Sequence, residues 1–105
     1  MSEAKTFLME LPEKTNKDVI EGHNTVFHFI LKDTEEEMTL RIDDGEITAE
    51  EGLHGEAKCV VKATSENLMK LVRKDLNPMM ALLTGKLKIS NQSEMLKYAK
   101  ILGLM

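Results

Sequence analysis

Between residues 25 and 63 apolar side chains recur at alternate positions in short runs, and this period of two constrains the fold more than any other feature. The runs predict four strands, at residues 25–32, 37–43, 46–50 and 57–63. Asp44-Gly45, between the second and third, is a strong β-hairpin signal. Because all three links between these strands are short, we expect an antiparallel meander.

After residue 63 the apolar period changes to that of a helix, with one further strand. We predict helices at 65–74, 78–84 and 92–104, a strand at 86–90, and, before the first strand, a helix at 2–11 ended by Pro12 and a single turn at 17–21. Asn77-Pro78 places a capping side chain directly before a proline at the first helical position. The 105 residues form one domain. The predicted fold class is α+β: a five-stranded, mainly antiparallel sheet covered on one face by helices.

Composition excludes several classes of protein. The net charge of −4 argues against a general nucleic-acid binder, which needs a basic face. Cys59 is the only cysteine, so no disulfide framework is possible, and we expect it to be a small buried residue. We find neither a secretory signal pattern nor an apolar run of membrane-spanning length, and we expect a cytoplasmic location.

No catalytic or metal-binding motif is present. None of the three histidines carries such a motif. We expect His28 to be partly exposed, on the sheet face opposite Phe27 and Phe29, and His54 to lie in a glycine-flanked turn. Our interpretation is therefore a protein that is not an enzyme and needs no metal and no cofactor. A hydrolase or thioesterase with an unrecognised site is the weaker hypothesis.

The later helices have an unusual apolar emphasis. The chain has eight methionines and no tryptophan, and residues 79–83 are all apolar. Methionine adapts to irregular space, so such surfaces suit pockets that accept varied partners, but methionine also fills ordinary cores. We expect the helix at 78–84 either to be buried on most sides or to face a cavity.

The segment from Ala57 to Ile89 resembles the sterol carrier protein family. The resemblance lies in the order of a strand, a capped helix, Leu76-Asn77-Pro78, an apolar helix and then Gly-Lys-Leu-Lys-Ile at 85–89, and it extends over about residues 22–102. The sequence departs from the family at Lys74-Asp75 and at Ser90-Asn91, close to positions where family members tend to have glycine. The first departure suggests a rebuilt helix end.

The resemblance implies an apolar tunnel between the sheet and the helices, which takes lipids, fatty acyl groups or sterols. The implied ligand-binding residues are Phe27, Phe29, Met38, Leu40, Ile42, Leu68, Leu71, Met80, Leu83, Met95 and Leu102. The implied partner is a hydrophobic small molecule such as a lipid or fatty acid, with transient membrane contact, no nucleic acid, and a monomer or homodimer. The alternative is a cavity filled by Met and Leu, in an accessory or dimerisation module without a transport role.

Overall fold

A computed structural model of the chain describes residues 2–16, 18 and 20–102, in nine helices and strands. In chain order these are α1 (Glu3–Lys14), β1 (Asn24–Leu31), β2 (Glu36–Asp43), β3 (Glu46–Glu51), β4 (Cys59–Ala63), α2 (Ser65–Val72), α3 (Pro78–Leu83), β5 (Leu87–Ile89) and α4 (Gln92–Tyr98). The strands form one five-stranded, mostly antiparallel sheet, so the predicted α+β class is confirmed.

The strand order, β3-β2-β1-β4-β5, shows that the expected meander is wrong. The first three strands are joined as antiparallel neighbours, but β4 pairs in parallel with β1, from Phe27 opposite Cys59 to Leu31 opposite Ala63. Parallel neighbours need a crossover connection rather than a hairpin. Residues 52–58 supply it, by carrying the chain from the β3 edge past β2 and β1.

The register places almost all large apolar side chains on one face of the sheet. Phe27 lies opposite Leu40 on one side and Cys59 on the other, and Phe29 lies between Met38 and Val61 in the same way. These side chains and those of the helices form one buried cluster. The helices therefore gather on this apolar face of the sheet.

The second face of the sheet is covered in part by the crossover. The buried hydroxyl of Thr39 donates to the carbonyl of Gly52 at 2.8 Å and accepts from the backbone N–H of His54 at 2.9 Å. The ring of His28 donates through Nε2 to the carbonyl of His54 at 3.0 Å. His28 is only 9% exposed, so the expectation of a partly exposed sheet histidine is wrong, because the crossover lies over it.

The helix ends differ from the sequence-based boundaries. Pro12 lies inside α1, which continues to Lys14, because packing of Leu8 and Leu11 against the core outweighs the one backbone hydrogen bond that proline removes. The helix ends where the N–H and hydroxyl of Thr15 both donate to the carbonyl of Leu11.

α4 ends at Tyr98, well before residue 104, although a further turn reaches Leu102. Residues 17, 19 and 103–105 lie outside the described part, so the predicted turn at 17–21 is only partly covered.

The end of α2 has a left-handed residue that is not glycine. Lys74 has a φ of 67°, in the left-handed region where glycine is favoured. Its N–H donates to the carbonyl of Leu71, and the N–H of Asp75 donates to the carbonyl of Lys70 at 2.8 Å. Lysine here adopts the conformation that a glycine would take at lower steric cost. A helix end rebuilt relative to the family stays a prediction.

Thr39→Val tests the two hydrogen bonds that attach the crossover to the sheet. The substitution keeps the shape of the side chain but removes two part-buried hydrogen bonds. Each contributes about 0.5–1.5 kcal/mol, so we expect the free energy of unfolding to fall by about 1–3 kcal/mol. Thr48→Val is the matched control on an exposed position of β3, where we expect a change within about 0.5 kcal/mol. If urea denaturation showed the same loss of unfolding free energy for both variants, the hydrogen bonds of Thr39 would not stabilise the crossover.

Lys74→Gly should stabilise the protein. Removing the side chain relieves the left-handed strain at some cost in chain entropy, and we expect a net gain of about 0.5–1 kcal/mol in the free energy of unfolding. Lys74→Ala removes the same charge but keeps a Cβ, so it should bring no gain. The result would go against this account if alanine stabilised as much as glycine.

Candidate functional site

An apolar groove of about 430 Å³ lies between α3, α4 and β5. Its lining is mostly aliphatic and thioether, with two amide side chains, and consists of Leu71, Asn77, Pro78, Met79, Leu82, Leu87, Ile89, Gln92, Met95, Leu96 and Ala99. The volume is within the range of small-molecule sites, roughly 300–1,000 Å³. Among the described residues, no side chain that is charged at neutral pH lines the groove, so its wall suits an apolar molecule.

Local sequence signals place the α3 wall of the groove. The side chain of Asn77 caps the helix, accepting hydrogen bonds from the N–H groups of Met79 at 2.8 Å and Met80 at 3.3 Å. Gly85, with a φ of 77°, follows and turns the chain directly into β5. With six residues, α3 buries only Ala81 fully, so its apolar surface is divided between the groove and the exterior.

The other wall is α4, which is anchored on its far side. Asn91 caps the helix by accepting from the N–H of Glu94 at 3.1 Å. The carboxylate of Glu94, which is 8% exposed, accepts a hydrogen bond from the hydroxyl of Thr25 on β1. The hydroxyl of Tyr98 lies 3.2 Å from Nδ1 of His23. These contacts fix the helix and leave its Met95 and Ala99 side facing the groove.

The residues that the sequence analysis assigned to a tunnel fall into three groups. Eight are at most 2% exposed and belong to the core between sheet and helices: Phe27, Phe29, Met38, Leu40, Ile42, Leu68, Leu71 and Leu102. Leu71 also reaches the groove, as does Met95, which is 5% exposed. Met80 and Leu83 are 54% and 77% exposed, so the expectation that α3 turns both toward an internal cavity is not met. A role for the eleven residues in ligand binding stays a prediction.

Most of the groove was missed by sequence reasoning. Leu87 and Ile89 carry a visible signal, because they alternate with lysines on a short strand that had to be covered. Leu82 and Leu96 carry no such signal. Leu82 lies beside Leu83, which is equally apolar but exposed, and the sequence does not distinguish Leu96, also largely exposed, from a buried leucine. Which side of a short apolar helix faces a gap depends on how the helices pack.

Two titratable groups in the described part of the chain, a thiol and a phenol, have shifted pKa values because they are buried. Burial raises the pKa of the Cys59 thiol, and it also raises the pKa of the Tyr98 phenol, with a further contribution from the charge of Glu94. His54 is exposed, and its Nε2 lies 2.6 Å from the carbonyl of Glu51. Within the described ranges no three His, Cys, Asp or Glu side chains are grouped as a metal ion would require.

Comparison with known proteins identifies the family. The profile of the SCP-2 sterol transfer family matches residues 4–102. The chain therefore belongs to the SCP-2 sterol transfer family. A search of the curated proteins finds no matching relative. Of the helices in the described residues, none has the length and apolarity needed to cross a membrane.

Solved structures share the fold at low sequence identity. An inverting sec-alkylsulfatase, Pisa1, from a Pseudomonas species matches with a TM-score of 0.76 and 22% identity, over 90% of this chain but 15% of the sulfatase. Sterol carrier protein domain 2 of Helicoverpa armigera matches with a TM-score of 0.72 and 18% identity, over 93% of this chain and 81% of that one. Palmitated SCP2L2 from Aedes aegypti matches with a TM-score of 0.72 and 17% identity, over 97% and 95%. At such identities these likenesses show the fold alone.

Cys59 should be chemically inert in the folded protein. Its side chain is fully buried, its Sγ lies 3.5 Å from the carbonyl of Asn91, and its raised pKa lowers the thiolate fraction at pH 8. We expect alkylation by iodoacetamide at least about a hundredfold slower than in the denatured chain, because it must wait for opening of the structure. Alkylation at nearly the denatured rate would reopen the hypothesis of a thiol nucleophile.

Proposed function

We propose that this chain binds and carries a hydrophobic ligand, a lipid or fatty acyl group, in the groove between α3 and α4, and that it performs no catalysis. The observation that carries the proposal is the groove itself, an uncharged apolar cavity of about 430 Å³ in a member of a sterol transfer family. The palmitated state of the Aedes aegypti protein, which has the same fold, supports an acyl ligand.

The physical chemistry of the groove favours a long aliphatic ligand. Micromolar affinity corresponds to about 8 kcal/mol, and each buried methylene contributes about 0.8 kcal/mol, so at least about ten methylenes must be buried before ordering costs are added. Asn77 and Gln92 are the polar side chains at the wall. The amide of Asn77 uses its oxygen to cap α3, which leaves its N–H groups to donate to a ligand head group.

A second candidate function is an accessory or dimerisation module without ligand transport. It is supported by the packing of eight implied tunnel residues in the core, where they fill the space between sheet and helices. Native mass spectrometry of protein purified from its own host separates the two functions. A co-purifying lipid mass supports carriage, and an apo dimer supports the module.

Leu82→Trp tests the groove directly. Leu82 lines the groove from α3, and an indole in its place would occupy ligand space. Wild-type protein should bind a fluorescent long-chain fatty acid with micromolar affinity, displaceable by long but not by short acids, and the variant should bind at least about tenfold more weakly.

Leu53→Trp provides the matched control, because this exposed leucine lies in the crossover and does not line the groove. Its probe affinity should equal that of the wild type, and thermal melts of both variants report whether each remains folded. Equal affinities in the folded Leu82 and Leu53 variants would show that the ligand does not occupy the groove. A wild-type protein that binds no long-chain probe would reject carriage altogether.

A further inference from the structure

Four large apolar side chains stand exposed around the mouth of the groove. Met79, Met80 and Leu83 on α3 are 66%, 54% and 77% exposed, and Leu96 on α4 is 64% exposed. We call these four residues the outer patch. Met79 and Leu96 also line the groove, so the patch is continuous with its interior. Apolar side chains exposed together in this way mark an interaction surface.

The charge of the chain is unevenly distributed about this patch. Residues 70–102 include seven Lys or Arg and two Asp or Glu, a net charge of +5, whereas the chain as a whole has −4 and the remaining residues therefore −9. One of the two acidic residues, Glu94, is buried. The segment that carries the outer patch is thus basic in an acidic protein, with Lys70, Arg73 and Lys97 ion-paired to Glu66, Glu3 and Glu94 and the other basic side chains outside these pairs.

Individual lysines lie close to the patch along the chain. Lys86 follows α3 after Gly85, and Lys100 lies one helical turn after Leu96. Both are exposed, and neither forms an ion pair with any residue in the described ranges. Lysines beside protruding apolar side chains are the composition of surfaces that insert into the head-group region of anionic membranes.

We propose that the outer patch, with Lys86 and Lys100, docks this chain on the surface of an anionic lipid bilayer, with the mouth of the groove facing the membrane. Charge complementarity favours this occupant over a second copy of the chain, because a symmetric dimer through the patch would bring two basic segments together. The orientation of the groove rests on the proposed function, whereas docking itself can be measured without it.

Vesicle sedimentation tests the docking surface. Wild-type protein should bind vesicles that contain about 30% phosphatidylglycerol in phosphatidylcholine far more strongly than vesicles of phosphatidylcholine alone, and less at about 0.5 M than at about 0.1 M salt. Combined Lys86→Glu and Lys100→Glu should weaken binding to anionic vesicles at least about tenfold. Leu83→Ser should weaken it severalfold, because its side chain no longer inserts.

Matched controls keep the proposal falsifiable. Lys14→Glu with Lys32→Glu makes the same charge change at exposed positions on α1 and at the end of β1, and Leu53→Ser removes an exposed leucine from the crossover. Both controls should retain most of the wild-type binding. Patch variants that bind like their controls would place docking elsewhere on the protein. Equal binding of wild-type protein to neutral vesicles would overturn the anionic bilayer as the occupant. A wild-type dimer in analytical ultracentrifugation that Leu83→Ser converts to a monomer would assign the patch to a second copy.

Probe binding in solution separates this inference from the proposed function. Leu83, Lys86 and Lys100 do not line the groove, so their variants should bind the fatty-acid probe like the wild type. A wild-type chain that binds the probe but no vesicles overturns docking alone. One that binds anionic vesicles but no probe overturns carriage and leaves the docking surface standing.

Discussion

The parallel pairing of β1 with β4 is the constraint on which the rest of the structure depends. It places β1 at the centre of the sheet, with β2 on one side and β4 on the other, so that Phe27 and Phe29 are enclosed by neighbours on both sides. Because β3 lies at the edge beyond β2 while β4 lies on the other side of β1, residues 52–58 must cross the sheet to join them. That crossover covers His28 and Thr39 on the second face, and the helices are left to cover the apolar face.

The groove follows from how the helices share that apolar face. β5 has only three residues, and α3, with six, is too short to cover the edge of the sheet. α3 contributes one buried residue, Ala81, whereas α4 contributes three, at positions 94, 95 and 98, followed by its buried C-cap Ala99. The space between the two helices is therefore lined by Leu82 and Met95 but not filled, while the packing under β1 and β2 is close.

Features encoded by neighbouring residues could be predicted from the sequence, and features that depend on distant packing could not. The hairpin at Asp44-Gly45, whose φ angles are 41° and 90°, and the cap at Asn77-Pro78 both follow from local backbone chemistry. The parallel partner of β4 is a choice among strands of similar apolarity, and alternation alone does not identify it. The exposure of Leu83 was missed for the same reason. An apolar side chain favours burial, but the sequence does not tell which face of α3 the rest of the protein covers.

The contrast between the two walls indicates how the groove would adapt to a ligand. α4 is held by a buried hydrogen bond from Thr25 to Glu94 and by a part-buried one between Tyr98 and His23, and both are lost if the helix moves. α3 has no comparable side-chain anchor among the described contacts, and its position depends on apolar packing and its own cap. Elements with few buried contacts open at the lowest free energy. Under the proposed function, the α3 wall, with the flexible side chain of Met79, would therefore be the part of the groove that shifts to fit ligands of different shape, while the α4 wall would move less.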